Sequence, residues 1–394
     1  MAADTPVPPT PESWNRWEAY APRVRTLSFV TFEISLKTFE FVVQCRPHGK
    51  RLLFPNLRKL DYNTLSRPSR DSLPPFLAIL GESTVEVHLH GLCHEAAPDF
   101  LGYLPQKVPH VQHISITARS LPDASCRALA SSLIQLKKLT SLKIRGIALN
   151  PDVWSAMSHH PSLEHVSATP WIPISDTWKT SKYQPAAFVK LSKLVLTARF
   201  AFLCDLFQGQ NELPTITDIH FWGTSVTQGD GDFGRLCQLL ARKLPNLRCA
   251  YLGCYPERSE DHVALGLKDF RSLMECRNLQ RFQLDHPWGV SVTASEIGEL
   301  LDAWPGLDDL GLQYKSYCHR ASSLNGTVRW VPPTLPLDVL LDTVIAKAPK
   351  MKKLGLVFDA NTPISSTPGT SQQQFECLEE LEVTLSTVVG QPRA

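Results

Sequence analysis

A short apolar signature, Leu-x-x-Leu-x-Leu or a near equivalent, recurs along almost the whole chain and restricts its fold more than any other property. It is plain at Leu57/Leu60/Tyr62, Val111/Ile114/Ile116, Leu139/Leu142/Ile144, Leu191/Leu194/Leu196, Ile216/Ile219/Phe221, Leu279/Phe282/Leu284, Leu307/Leu310/Leu312 and Met351/Leu354/Leu356. Weaker copies stand between them at Val24/Leu27/Phe29, Thr84/Val87/Leu89, Leu163/Val166/Ala168, Leu247/Ala250/Leu252 and Leu378/Leu381/Val383. Most units start 24 to 33 residues after the last, and one step, Leu307 to Met351, spans 44. Leucine-rich repeats run at roughly 20 to 29 residues, so the period predicts a solenoid of stacked strand-and-helix units.

Between signatures the apolar spacing changes from every second position to every third or fourth, as in Cys126/Leu129/Leu133 and Phe233/Leu236/Leu240. This predicts a helix after each strand. Further helical stretches are expected at 36–45, 76–80, 100–104, 202–207, 270–276 and 337–345. Thr293 and Glu296 suit a capping box, and Asp123 and Asp232 suit other helix starts. Pro55-Asn56, Pro161-Ser162, Pro245-Asn246 and Pro305-Gly306 end helices just before the next signature. The expected fold class is therefore α/β: a leucine-rich-repeat solenoid of ribonuclease-inhibitor-like, horseshoe type, with a parallel concave sheet and helices on the convex side.

In a strand, alternate side chains face opposite ways. With the second and third signature positions turned into the core, a column of residues faces outward: Ser28, Asp61, His88, Ser115, Lys143, Ser167, Val195, His220, Tyr251, Gln283, Gly311, Gly355 and Glu382. The chain of 394 residues reads as one elongated solenoid over 14–387, with tails at 1–13 and 388–394 and an insertion at 313–336. Asn325-Gly326-Thr327 matches a glycosylation sequon but reads as a turn.

A formal charge of +2 predicts no attraction to nucleic acid or membrane. No apolar run approaches the roughly 20 residues of a membrane helix, and the first residues lack the pattern of a secretion signal. The ten cysteines follow no framework spacing, which fits small buried hydrophobes in an intracellular protein of the cytoplasm or nucleus. No cofactor is expected. The Gly-x-Ser-x-Gly elbow, phosphate loop, His-Glu-x-x-His and dinucleotide fingerprints are all missing, so the chain does not read as an enzyme.

Candidate partner-binding residues lie on the outward positions. Glu86, His88 and His90 alternate along one strand with His113 beside them and Cys93 and His94 just beyond, a set that suits a polar or pH-sensitive contact patch. The rival reading is zinc, and with it a metal-dependent enzyme centred on His88, His90 and His113. Asp218, His220, Trp222 and Tyr251 form a second cluster with the aromatic character of a binding hot spot, with Gln283 next in the column. Lys143 and Arg145, with Lys193, form a basic stretch suited to an acidic partner.

The opening segment, Trp14-Asn15-Arg16-Trp17-Glu18-Ala19-Tyr20-Ala21-Pro22-Arg23-Val24-Arg25-Thr26-Leu27, resembles the part that follows the F-box in the F-box and leucine-rich-repeat family of mushroom-type fungi. Irregular repeats such as Phe54-Pro55-Asn56-Leu57-Arg58-Lys59-Leu60 share that style. The resemblance implies a substrate receptor of an SCF-type ubiquitin ligase, with the repeats holding the protein to be ubiquitylated. The F-box itself would precede Trp14, where only 1–13 stand, so no adaptor-binding residue is carried over. A Skp-type adaptor is implied as a partner only if an F-box is encoded upstream. The alternative is a stand-alone interaction scaffold. At the other end, 378–383 reads as a strand without the capping unit that a repeat array requires.

Overall fold

The computed structural model describes residues 9–30, 41–45, 52–63, 78–91, 97–118, 122–146, 150–169, 188–224, 231–255, 264–286, 289–313, 337–356 and 377–383. Its contacts divide the chain into two compact units, Met1–Ser175 with Ser181–Leu191, and Asp176–Thr180 with Ser192–Ala394. Both are built of the same strand-and-helix repeat, the leucine-rich-repeat type of α/β fold.

The first unit opens with helix α1 (Pro11–Tyr20), which Thr10 caps by accepting a hydrogen bond from the Ser13 amide at 3.2 Å. A parallel ladder follows, β1 (Thr26–Val30), β2 (Lys59–Asn63), β3 (Glu86–His90), β4 (His113–Thr117), β5 (Ser141–Arg145) and β6 (His165–Thr169). Helices α2 (Ala97–Lys107), α3 (Asp123–Gln135) and α4 (Pro151–Ser158) join these strands and pack side by side.

The second unit repeats the plan with β7 (Lys193–Arg199), α5 (Phe200–Gln208), β8 (Asp218–Thr224), α6 (Asp232–Lys243) and β9 (Cys249–Tyr255). After β9 come β10 (Leu265–Gly266), α7 (Leu267–Phe270), a 3-10 turn at Arg271–Glu275, β11 (Arg281–Asp285) and β12 (Val290–Ser291). Then follow α8 (Ala294–Ala303), β13 (Asp309–Gln313), α9 (Leu337–Lys347), β14 (Lys353–Leu356) and β15 (Glu380–Val383). Seven of these strands form one parallel ladder in the order β7, β8, β9, β11, β13, β14, β15, and β10 pairs separately with β12.

The register matches the outward column expected from the signatures. Ser28, Asp61, His88, Ser115, Lys143 and Ser167 are consecutive partners in the first unit. Val195, His220, Tyr251, Gln283, Gly311, Gly355 and Glu382 are partners in the second. The neighbouring signature positions are the core: Leu60, Val87, Leu142, Leu194, Ile219, Phe282 and Leu310 have no accessible surface. Removal of this apolar area from water is the main force holding each sheet to its helices.

A second device joins successive repeats. The carbonyl of the residue just after the first signature position accepts two amide hydrogens from the next unit: that of Arg25 from Arg58 (2.8 Å) and Lys59 (3.0 Å), that of Arg58 from Val85 and Glu86. The same fork recurs at Val85, Gln112 and Thr140, and in the second unit at Ser192, Thr217, Arg248, Gln280, Asp308 and Lys352. Side chains just before the signature add to it. Asn56 Nδ2 donates to the Pro22 carbonyl and Asn246 Nδ2 to that of Pro214, both at 2.9 Å. Ser83 and Ser162 donate to carbonyls of the preceding unit in the same way. These side chains thus tie one repeat to the last, and Pro161-Ser162 and Pro245-Asn246 also stand just beyond the ends of α4 and α6.

Several helix expectations need correction. Of the expected stretch 76–80 only 78–80 lie among the described residues, and Ala78 and Ile79 there form a turn. The stretch 270–276 is split between the end of α7 and the 3-10 turn. Asp123 and Asp232 do begin helices, as expected; they are the first helical residues, one place beyond the caps Pro122 and Gly231, where their charge complements the helix dipole. At α8 the capping box forms in full: Thr293 Oγ1 accepts from the Glu296 amide at 3.2 Å, and the Glu296 carboxylate accepts from the Thr293 amide at 2.7 Å. Thr293→Ala is therefore expected to destabilise the second unit by about 1 kcal/mol, read as a lower midpoint in urea denaturation.

Among the described residues no helix is long and apolar enough to cross a membrane.

Candidate functional site

Each unit presents one sheet face that the helices do not cover, and the candidate residues stand on it. On the first unit Lys59 and Glu86 are register partners, and Lys59 Nζ lies 2.9 Å from Glu86 Oε1. The same carboxylate oxygen meets His88 Nε2 at 2.6 Å, since residues two apart on a strand share a face. His90 Nε2 approaches Asp61 at 3.6 Å, and the rings of His88 and His90 stack with centroids 6.4 Å apart. Burial pushes the Glu86 carboxyl up, but the hydrogen bonds from Lys59 and His88 and their charges outweigh it and hold it below its ordinary value.

The second unit repeats this arrangement. Lys193 and Asp218 are register partners 3.2 Å apart, and His220 Nε2 lies 3.0 Å from Asp218 and 3.3 Å from Lys193 Nζ. Burial again raises the carboxyl, and again the His220 hydrogen bond and the Lys193 charge bring it below its ordinary value. Lys193 is thus paired within this cluster, where a carboxylate stands in register beside it.

His220 also leads into an aromatic group. Its ring stacks on Tyr251 at 5.5 Å with an 18° tilt, and Trp222 meets Tyr251 at 4.9 Å. Trp222 is half-buried because it lies over Gly253, its register partner on β9, whose missing side chain makes the room; a Cβ there would sit 2.3 Å from the indole. The Tyr251 hydroxyl donates to Asp285, and Gln283 Nε2 donates to Asp309 at 3.3 Å. The glycines of the column, Gly311 and Gly355, are buried rather than exposed, and the Gln283 side chain covers Gly311.

The three strands β4 to β6 differ from both clusters. Their outward positions are His113, Ser115 and Thr117, then Ser141, Lys143 and Arg145, then His165, Ser167 and Thr169. None is acidic. Lys143, Arg145, His113 and His165 are exposed, while Ser115 and Ser141 are each 8% exposed at the floor of the patch.

The zinc reading of the histidine strand is not supported: among the described residues no group of three or more His, Cys, Asp or Glu is placed to hold a metal ion. Glu86 is occupied by Lys59 and His88, and His90 turns to Asp61. Cys93 and His94 lie outside the described residues, as does 314–336 of the predicted insertion. A cleft of about 460 Å³ between α3 and α4 contains His159 and His160. Both rings are committed to structure, His159 Nδ1 to the Ser155 carbonyl at 2.9 Å and His160 Nε2 to that of Leu136 at 3.0 Å. The buried thiols are equally committed. Burial raises Cys126 and Cys276 to about 11 and Cys204 to about 12, so all three stay protonated and pack as hydrophobes.

Two members of these clusters escape a reading of single strands. Lys59 and Asp285 become visible only once register is assigned, Lys59 opposite Glu86 and Asp285 two places beyond Gln283 on the same face. Compared with known proteins, the chain matches no family model and no curated protein.

Proposed function

We propose that this chain is a protein-recognition module whose uncovered sheet faces are its contact surfaces. The observation that carries the reading is the registered cluster of His220, Trp222 and Tyr251, where aromatic rings are fixed by stacking on one another while part of their surface stays open to solvent. Rigid, partly exposed aromatic side chains contribute disproportionately to protein binding because little entropy is lost on contact. Fixed side chains repeated across a parallel ladder suit recognition of a large partner better than enclosure of a small substrate.

The finer reading is that the module is the substrate-binding part of an SCF-type ubiquitin ligase receptor. It rests on the resemblance of the Trp14 to Leu27 segment. In support, that segment is integrated with the repeats: Trp17 Nε1 donates to the Leu53 carbonyl at 3.2 Å and its ring packs on Phe54 at 5.0 Å.

Trp222→Ala tests the recognition surface. Partner capture by the full chain is expected to weaken by about 2 kcal/mol, while circular dichroism stays that of the parent because the indole is not part of the core. Equal capture by variant and parent would remove the proposal. Co-purification of the full gene product with a Skp-type adaptor tests the ligase connection, and its failure leaves a recognition scaffold without that coupling.

A further inference from the structure

We propose that the face formed by β4, β5 and β6 binds an extended acidic segment of a protein partner through its carboxylates. This rests on the reading of the sheet face as a contact surface and specifies the chemistry of one part of it. The first observation is an imbalance of charge. Lys59, Lys193 and Lys353 each lie on an outward position and each is matched to a carboxylate within 3.2 Å, Glu86, Asp218 and Glu380. Lys143 and Arg145 are exposed on β5, and no acidic residue occupies an outward position of that strand or of either neighbour. Among the described residues neither cation forms an ion pair or a side-chain hydrogen bond. Among the described residues no counter-charge stands beside either, and the carboxylates of a partner would supply one.

Spacing and chemistry select the partner. Residues two apart on a strand stand roughly 6.6 Å from each other, so Lys143 and Arg145 match carboxylates at alternate positions of an extended chain. Arginine can take one carboxylate by two parallel hydrogen bonds, and lysine the next as a point charge. Ser115 and Ser167 flank Lys143 in register, with hydroxyls placed to donate to carboxylate oxygens left over. A single-stranded nucleic acid is disfavoured because none of these outward positions carries a Phe, Tyr or Trp on which bases could stack.

The test uses the full chain and a fluorescein-labelled octapeptide of alternating Glu and Ser, with fluorescence anisotropy at low and high salt. Binding is expected at low salt and should fade as screening rises. The double variant Lys143→Gln/Arg145→Gln should weaken it about tenfold, while Lys353→Gln, a paired lysine of the other unit, should leave it unchanged. The proposal is overturned if the peptide does not bind at low salt, if the double variant binds as the parent does, or if an oligouridylate of equal length binds more tightly than the peptide. Loss of peptide binding alone, with partner capture still dependent on Trp222, sinks this inference and spares the wider one. Failure of both would sink the sheet face as a contact surface.

Discussion

Phe282→Ala is expected to cost the second unit about 4 kcal/mol of stability, the largest loss from any single truncation considered. Phe282 has no accessible surface, and its ring is held between Phe270 at 5.6 Å and Trp304 at 5.0 Å. Its neighbours cannot close the hole. Trp304 is anchored by its indole N–H to the Leu273 carbonyl at 3.1 Å, and β11 is clamped between β9 and β13 by the ladder. Lost transfer energy and an unfilled cavity therefore add. Phe282→Leu, which keeps most of the volume, should cost about 1.5 kcal/mol or less. Urea denaturation followed by tryptophan fluorescence reads both, and equal losses from the two variants would overturn the account in terms of cavity volume.

Acid should remove on the order of 3 kcal/mol from the same unit between about pH 6.5 and pH 4, through His286. The imidazole is 8% exposed. Burial opposes its charged form, and neither the hydrogen bond to the Gly289 carbonyl nor the charge of Asp269 restores it, so its pKa falls to about 4. In the unfolded chain the group titrates near its ordinary value. Over the interval between these values the unfolded state holds a proton that the folded state refuses, so stability falls as pH falls and then levels off. His160 in the first unit is lowered in the same direction, chiefly by burial. Glu86 and Asp218 titrate elsewhere: their depressed pKa values mean that the stability they contribute is lost only as pH drops through those lower values. His286→Asn, which keeps a donor near the position of Nδ1, should flatten the profile between pH 6.5 and 4.5. An unchanged slope in that variant would show that the loss comes from another group.

The strands and their register were readable because the signature places two core side chains at fixed offsets, and a period of two admits no slip without exposing them. Helices were readable where apolar spacing persisted, as at 232–243, and less so at 270–276, where a short run is split between the end of α7 and a 3-10 turn. The sites were harder to see for a different reason. The pairs Lys59 with Glu86 and Lys193 with Asp218 join residues 27 and 25 positions apart, on strands that meet only after the intervening chain has folded back. Trp222 was visible as a residue, but its resting place depends on Gly253 on the next strand. Composition alone concealed the charge imbalance of the first unit, since a whole-chain charge of +2 averages paired and unpaired cations together.

The forked carbonyl at these joints within each unit carries a consequence for how such a chain can change. The acceptor belongs to residues as unlike as Arg25, Val85, Gln112, Ser192 and Asp308, and the donors are ordinary amides. Proline alone is barred from the donor places. Since the coupling is written in atoms that nearly every amino acid possesses, a unit can be duplicated, lost or given a new outer face without renegotiating its bond to its neighbours. The molecule is modular at the level of the peptide group, which leaves its side chains free to diversify.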